Sequence, residues 1–162
     1  EEKNKVKDFL IDGKDIEILN IIQSGAKTPH AEIARRVGLA PSAAFERVRK
    51  LERTGVIKGY EARVDAAAVG LGQLAFVFVR ADEPVGSQRA GQRLAKIPNV
   101  LEVHNVAGED CYLVKLRVRD TAELGRLLRE DFARIEHVTS TRSTIVLDTL
   151  KETAIVPVAE SP

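Results

Sequence analysis

The sequence predicts an α+β chain, a winged helix-turn-helix followed by a ferredoxin-like βαββαβ domain. Three observations predict it. Up to Ile57, apolar residues recur at spacings of three and four, the period of amphipathic helices. From Gln73 the pattern changes to short runs of Val, Leu and Phe with turn residues between them, as strands require. Between the two lies DAAAVGLG, Asp65 to Gly72, whose small residues and two glycines mark a hinge. The expected divisions are a helical domain over 1–60, a linker over 61–72, a sheet domain over 73–150 and a tail over 151–162.

Composition narrows the class. At 162 residues, with 44% hydrophobic and 30% charged content, the chain has the make-up of one or two ordinary globular domains. No run approaches the roughly 18 apolar residues of a membrane span, and EEKNKVKDFLID has no secretory h-region. A cytosolic protein without a membrane partner is expected. The single cysteine, Cys111, excludes an intrachain disulfide and suits a reducing compartment. The absence of methionine implies that residue 1 is not the translation start. The net charge of +1 is unevenly divided: residues 1–60 carry 12 Lys and Arg against 9 Asp and Glu, and residues 61–162 carry 13 against 15. The basic surplus belongs to the helical half.

Residues 1–11 combine Lys3, Lys5 and Lys7 with Phe9, Leu10 and Ile11, a loose tail whose apolar end is expected to pack on something. Asp12 is a good N-cap, with Asp15 in the first turn of a helix that buries Ile16, Leu19 and Ile22 and ends at Gly25. Thr28 is the expected cap of a second helix, with Pro29 at N1 and Ile33, Ala34 and Val37 inward. After a turn at Gly38, a third helix should bury Ala44, Phe45, Val48 and Leu51 and stop at Gly55 in the left-handed region. Residues 56–64 read as the extended wing.

In the second half, LAFVFV (Leu74 to Val79) is apolar on both alternating faces, so both sides should be covered. A helix bearing Ala90, Leu94 and Ile97 follows, then strands over Val100–Val106 and Cys111–Val118, joined by the turn Gly108-Glu109-Asp110. Asp120 and Glu123 open a helix carrying Leu124, Leu127, Leu128 and Ile135, and Val138–Leu147 is the last strand. In this order, right-handed crossovers put both helices on one face of the sheet. The other face, presenting either Phe76 and Phe78 or Ala75, Val77 and Val79, would stay wet unless a second copy covers it. A sheet-to-sheet homodimer is therefore expected. The tail Lys151–Pro162 is expected either to add an edge strand to a neighbour or to stay without order.

The third helix carries the chemistry. Opposite its buried stripe fall Ser42, Ala43, Glu46, Arg49, Lys50 and Arg53, with Arg47 at the border. A small, polar and basic face on a helix held from behind fits the major groove of double-stranded DNA. Ser42 and Ala43 are small enough to approach base edges, Glu46 can accept from a cytosine amino group or pair with Lys50, and Lys50 and Arg53 suit phosphates. The bland alternative is a solvated amphipathic helix.

The chain resembles the Lrp/AsnC, or feast/famine, family of transcription regulators. The resemblance rests on Asp12-x-x-Asp15-x-x-Ile18-Leu19, Glu32-Ile33-Ala34, Val37-Gly38-Leu39, Arg47-Val48-x-x-Leu51-Glu52-x-x-Gly55-Val56-Ile57-x-Gly59-Tyr60 and Gly108-Glu109-Asp110-x-Tyr112-Leu113. It implies a DNA-reading head, a C-terminal domain that binds a small effector, usually an amino acid, and dimers that assemble into tetramers, octamers or larger discs. It places the effector near the turn Ala107–Cys111, at a boundary between dimers. There Glu109 or Asp110 could accept from an ammonium group and backbone N–H groups near Gly108 could meet a carboxylate. Thr141 and Ser143 match family positions whose hydroxyls complete such a site. The chain departs from the family at Cys111, where an acid often precedes the aromatic, and at Ala40, where a hydroxyl often caps the reading helix.

No catalytic residue, metal or cofactor is expected, since His30, His104 and His137 are too scattered for a ligand set. Two alternatives share the fold: an architectural DNA-binding protein without an effector, and an enzyme like the sirohaem decarboxylases, which use histidines in an Lrp-like C-terminal module. His104 favours the latter; the intact basic helix weighs against it.

Overall fold

The computed structural model describes residues 11–158, so the expected packing of Phe9 and Leu10 lies outside the described residues. The chain divides into two compact units: residues up to Arg63 together with those from Glu152, and residues Val64–Lys151.

The first unit contains α1 (Gly13–Ser24), α2 (His30–Val37) and α3 (Pro41–Arg53). Asp12 caps α1 reciprocally with Asp15: the Asp15 N–H donates to Asp12 Oδ1 at 2.9 Å and the Asp12 N–H to Asp15 Oδ2 at 3.4 Å. Gly38 ends α2 at φ 67°, and Gly55 follows α3 at φ 76°. Ile18, Leu19 and Ile22 meet Ile33, Val37, Val48 and Leu51 in one small core.

Three expectations change here. Thr28 does not cap α2. Its hydroxyl donates to the Gly25 carbonyl at 2.7 Å, and Pro29, in extended conformation, is the N-cap. Residues 56–64 are irregular and pair with no strand among the described residues; Val56 and Ile57 pack on the core, and the Ile57 N–H returns to the Leu51 carbonyl at 3.0 Å. Over 156–158 the tail is attached to its own three-helix unit rather than left without order. The Gln23 side-chain amide donates to the Val156 carbonyl at 3.0 Å and accepts from its N–H at 2.7 Å, while Val158 packs on the three-helix core.

The second unit is a four-stranded antiparallel sheet of β1 (Gln73–Ala81), β2 (Val100–Asn105), β3 (Tyr112–Val118) and β4 (Val138–Ile145), in the order β2-β3-β1-β4. With α4 (Arg89–Leu94) and α5 (Thr121–Leu127) it is the βαββαβ arrangement. Ala90, Leu94, Leu124 and Leu127 pack on Ala75, Val77, Val79, Val114, Leu116 and Val118, so both helices cover one face. That assigns Phe76 and Phe78, both half-buried, to the other face. After α5 the chain widens into a π-helical turn, Leu128–Phe132. The extra residue in that turn rotates Phe132 into the core, where it is fully buried.

Candidate nucleic-acid interface and effector region

Ala40, extended at ψ 145°, and Pro41 at N1 start α3 without a side-chain cap. Proline's missing N–H removes one of the orphan donors that a hydroxyl would otherwise serve. Ala44, Val48 and Leu51 are buried, and Ser42, Ala43, Glu46, Arg49, Lys50 and Arg53 are exposed.

One residue of this helix departs from expectation. Phe45 is not core: 40% of it is exposed, its ring edge-on to His30 with centroids 5.2 Å apart and Arg49 5.6 Å from its centroid. The three-four spacing admitted it to the buried stripe, but it lies at the stripe's margin, where α2 is too short to cover a phenyl ring. Arg47, at the border of the expected DNA face, is engaged within the unit. Its Nη1 donates to Asp12 Oδ2 at 2.6 Å and to Asp15 Oδ1 at 2.8 Å, turning the guanidinium toward α1. Arg47 holds the Asp12 carboxyl below its ordinary pKa, and both acids raise that of the guanidinium. Lys50 leans the same way, its Nζ 3.7 Å from Asp15 Oδ2, so the alternative pairing with Glu46 is not formed.

On α2, Glu32 accepts from Arg35 at 2.8 Å and from Arg36 at 2.7 Å; the two guanidiniums bring its pKa down to about 2. The cations of α2 are thus partly neutralised. Among the described residues no ion pair engages Arg49 or Arg53.

In the second unit Gly108 has φ 138°, a conformation glycine tolerates, within the turn joining β2 to β3. Both acids beside it are paired: Glu109 with Arg80 at 3.2 Å and Asp110 with Arg142 at 3.1 Å. Arg142 also lies over the Phe78 ring, 4.1 Å from its centroid. Thr141 and Ser143 pair with Val79 and Val77, on the helix-covered side, opposite Arg142. One chain therefore does not gather Gly108, Glu109, Asp110, Thr141 and Ser143 around one point. Cys111 is partly buried, its thiol donating to the Ala81 carbonyl at 3.2 Å. Arg80 and Arg142 were not legible as partners of this turn, because they lie 29 and 32 residues from their acids with no periodic relation to them.

His104, the residue behind the enzyme reading, contacts Glu102 at 3.1 Å, which Lys115 also reaches at 3.1 Å. His104 first, then Lys115, hold the Glu102 carboxyl below its ordinary pKa. Among the described residues no group of three or more His, Cys, Asp or Glu is placed to hold a metal ion, and no helix is long and apolar enough to cross a membrane.

Two family models match in series: a winged helix-turn-helix DNA-binding domain over residues 11–58 and an Lrp/AsnC ligand binding domain over 74–156. The chain belongs to the Lrp/AsnC family of transcriptional regulators. The HTH-type transcriptional regulator FL11 of Pyrococcus horikoshii is 38% identical over 148 residues, covering 91% of this chain and 97% of that one. The leucine-responsive regulatory protein of Escherichia coli K12 is 33% identical over 147 residues, covering 86% and 90%. A feast or famine regulatory protein from M. tuberculosis, solved in complex with L-methionine, superposes with a TM-score of 0.83 at 34% identity, covering 90% of this chain and 98% of that one. As an Lrp/AsnC member this chain is a DNA-binding regulator rather than an enzyme.

Proposed function

We infer that α3 is the reading helix of a sequence-specific regulator, and that an amino acid bound between dimers sets its assembly and DNA affinity. The observation that carries the first half is the polarity of α3. Asp15 draws Arg47 and Lys50 to one flank, while Ser42, Ala43, Glu46, Arg49 and Arg53 are exposed. Arg49 and Arg53 are the direct DNA contacts, Lys50 reaches phosphate from its flank, and Arg47 acts by fastening the helix.

Three features support the second half. Among the described residues no helix of the sheet's own unit covers the face bearing Phe76 and Phe78, which favours a homodimer closed sheet against sheet. Thr141 and Ser143 point away from the Gly108 turn of their own chain, so a joint site draws on two copies, as assembly into tetramers or octamers would allow. The M. tuberculosis relative holds L-methionine. An effector that prefers one assembly would change the spacing of the reading heads on half-sites about one helical turn apart. Such a protein works in the cytosol, on the nucleoid.

The test is Arg53→Ala in the full chain, titrated onto duplex DNA over a salt series. Loss of one phosphate contact should weaken all sites alike and reduce the salt slope by about one. An unchanged slope and affinity would overturn the assignment of α3. For the effector, each of the amino acids is added singly, with thermal shift and chromatographic sizing as readouts. If none altered melting, size or DNA affinity, the coupling would be refuted.

A further inference from the structure

Phe45 is the feature of the first unit that its fold does not explain. A phenyl ring left 40% exposed forgoes much of the benefit of burial. It stands in the N-terminal half of α3, the part of a recognition helix that meets base edges. Its helical neighbours Ser42 and Arg49 lie three before and four after it, both exposed and both on the proposed DNA face. The ring is also held in place: His30, at the first position of α2, meets it edge-on at 5.2 Å, and the Arg49 guanidinium lies 5.6 Å from its centroid. A braced apolar surface beside a cation on a basic helix is complementary to one group in the major groove, the 5-methyl of thymine. Arg49, close to the ring, is then well placed for the hydrogen-bonding edge of a neighbouring base or for phosphate.

The geometry points to Phe45 as a specificity-determining residue that reads a thymine methyl in each half-site, next to the position reached by Arg49. This rests on α3 being the reading helix. His30 acts as a positioning residue for the ring. Preference for thymine at that position comes from methyl burial rather than from a hydrogen bond.

Removing only the methyl tests this directly. Sites are selected from random duplexes with the full-length protein, and each thymine of the selected duplex is then replaced singly by deoxyuridine, which keeps every hydrogen-bonding group. Wild type should lose about fourfold at one thymine per half-site, the effect of burying one methyl-sized group, and Phe45→Ala should bind the thymine and deoxyuridine duplexes equally. Phe45→Leu, which keeps an apolar surface, should retain part of the discrimination. If wild type ignores every replacement, if Phe45→Ala keeps the same sensitivity at the same thymine, or if selection returns no thymine preference, the inference is overturned. Arg53→Ala separates the two levels. Weakened binding by that variant with a silent deoxyuridine scan refutes the role of Phe45 alone, whereas binding indifferent to Arg53→Ala refutes the reading helix itself.

Discussion

Arg47 on α3 places Nη1 2.8 Å from Oδ1 of Asp15, a fully buried carboxylate in the first turn of α1. The two residues, 32 apart in sequence, join α1 to α3, and Asp15 serves both as the partner of the N-cap and as the anchor of the reading helix. A buried carboxylate without its counter-charge is costly, and breaking such a pair costs more than forming it gains. Arg47→Ala should therefore destabilise the first unit by about 2–3 kcal/mol, discounted from the full buried-pair value because the arginine is itself partly exposed. Urea denaturation checks it, with Arg53→Ala as the control that leaves the midpoint in place. An unchanged midpoint for Arg47→Ala would mean that solvent already screens Asp15.

Gly91 on α4 lies against the ring of Tyr112, and a Cβ added there would stand 2.5 Å from Tyr112 Cε1. The tyrosine is buried and its hydroxyl donates to Glu83 Oε2 at 2.7 Å, so the ring cannot retreat without loosening that bond. Glu83 also accepts from Ser87 Oγ at 3.1 Å and from the Ala90 N–H at 3.0 Å, tying the loop to the start of α4. Gly91→Ala should cost about 1–3 kcal/mol despite alanine's higher helix propensity. Tyr112→Phe, which lacks the bond that pins the ring, should let it retreat and so tolerate the alanine better than Tyr112 does. Thermal melting of the single and double variants decides this.

The chain has two tyrosines, and neither should ionise at the ordinary value of about 10. Burial and then the adjacent Glu52, which accepts from its hydroxyl at 2.8 Å, push Tyr60 up to about 12. Burial and then Glu83 raise Tyr112. A raised folded-state pKa gives stability that is whole below the unfolded value and lost as pH rises through the folded one. Stability should hold to about pH 10 and then fall towards pH 12. A tyrosinate absorbance titration should show no step at pH 10 in the folded protein and one step there in denaturant. Glu52→Gln should bring Tyr60 part of the way back, leaving the share due to burial.

What the sequence made legible was local. Asp12 with Asp15, Gly38, Gly55 and Pro41 each act within a few residues, and each does in the structure what its backbone chemistry requires. Strand alternation likewise separated Tyr112, Val114, Leu116 and Val118 from their neighbours, because period two is a property of the strand itself. What local pattern does not reveal is chiefly the partner distant in sequence. Periodicity put Phe45 in the core because it cannot see how far α2 extends. Phe132 keeps the three-four spacing, four after Leu128 and three before Ile135, and that signal is enough to place it in the core. The sequence alone does not show the pairing of Arg47 with Asp12 and Asp15, because these acceptors lie at the start of another helix. The same limit applies to the effector region, where Asp110 and Arg142 meet across the sheet and Thr141 and Ser143 face away.

Gln23 completes a two-way amide pairing with Val156, copying the donor and acceptor pattern that a neighbouring strand would offer. Asn20 adds a bond to the Val158 carbonyl at 3.4 Å, and the Val158 side chain packs on the core below. The segment has little other burial: Ile155 is 52% exposed and Val156 63%. Its hold on α1 therefore depends on the glutamine and on Val158. Gln23→Ala removes one donor and one acceptor at an exposed site, so the stability cost should be about 1 kcal/mol or less. The local effect should be larger, because a short segment held by two amide bonds opens without unfolding the helices beneath it. Hydrogen exchange should show the Val156 amide losing its protection in Gln23→Ala while Ile22 and Val48 keep theirs. If the Val156 amide stayed protected, Val158 alone would be sufficient to hold the tail, and Val158→Asp would then be the change that frees it.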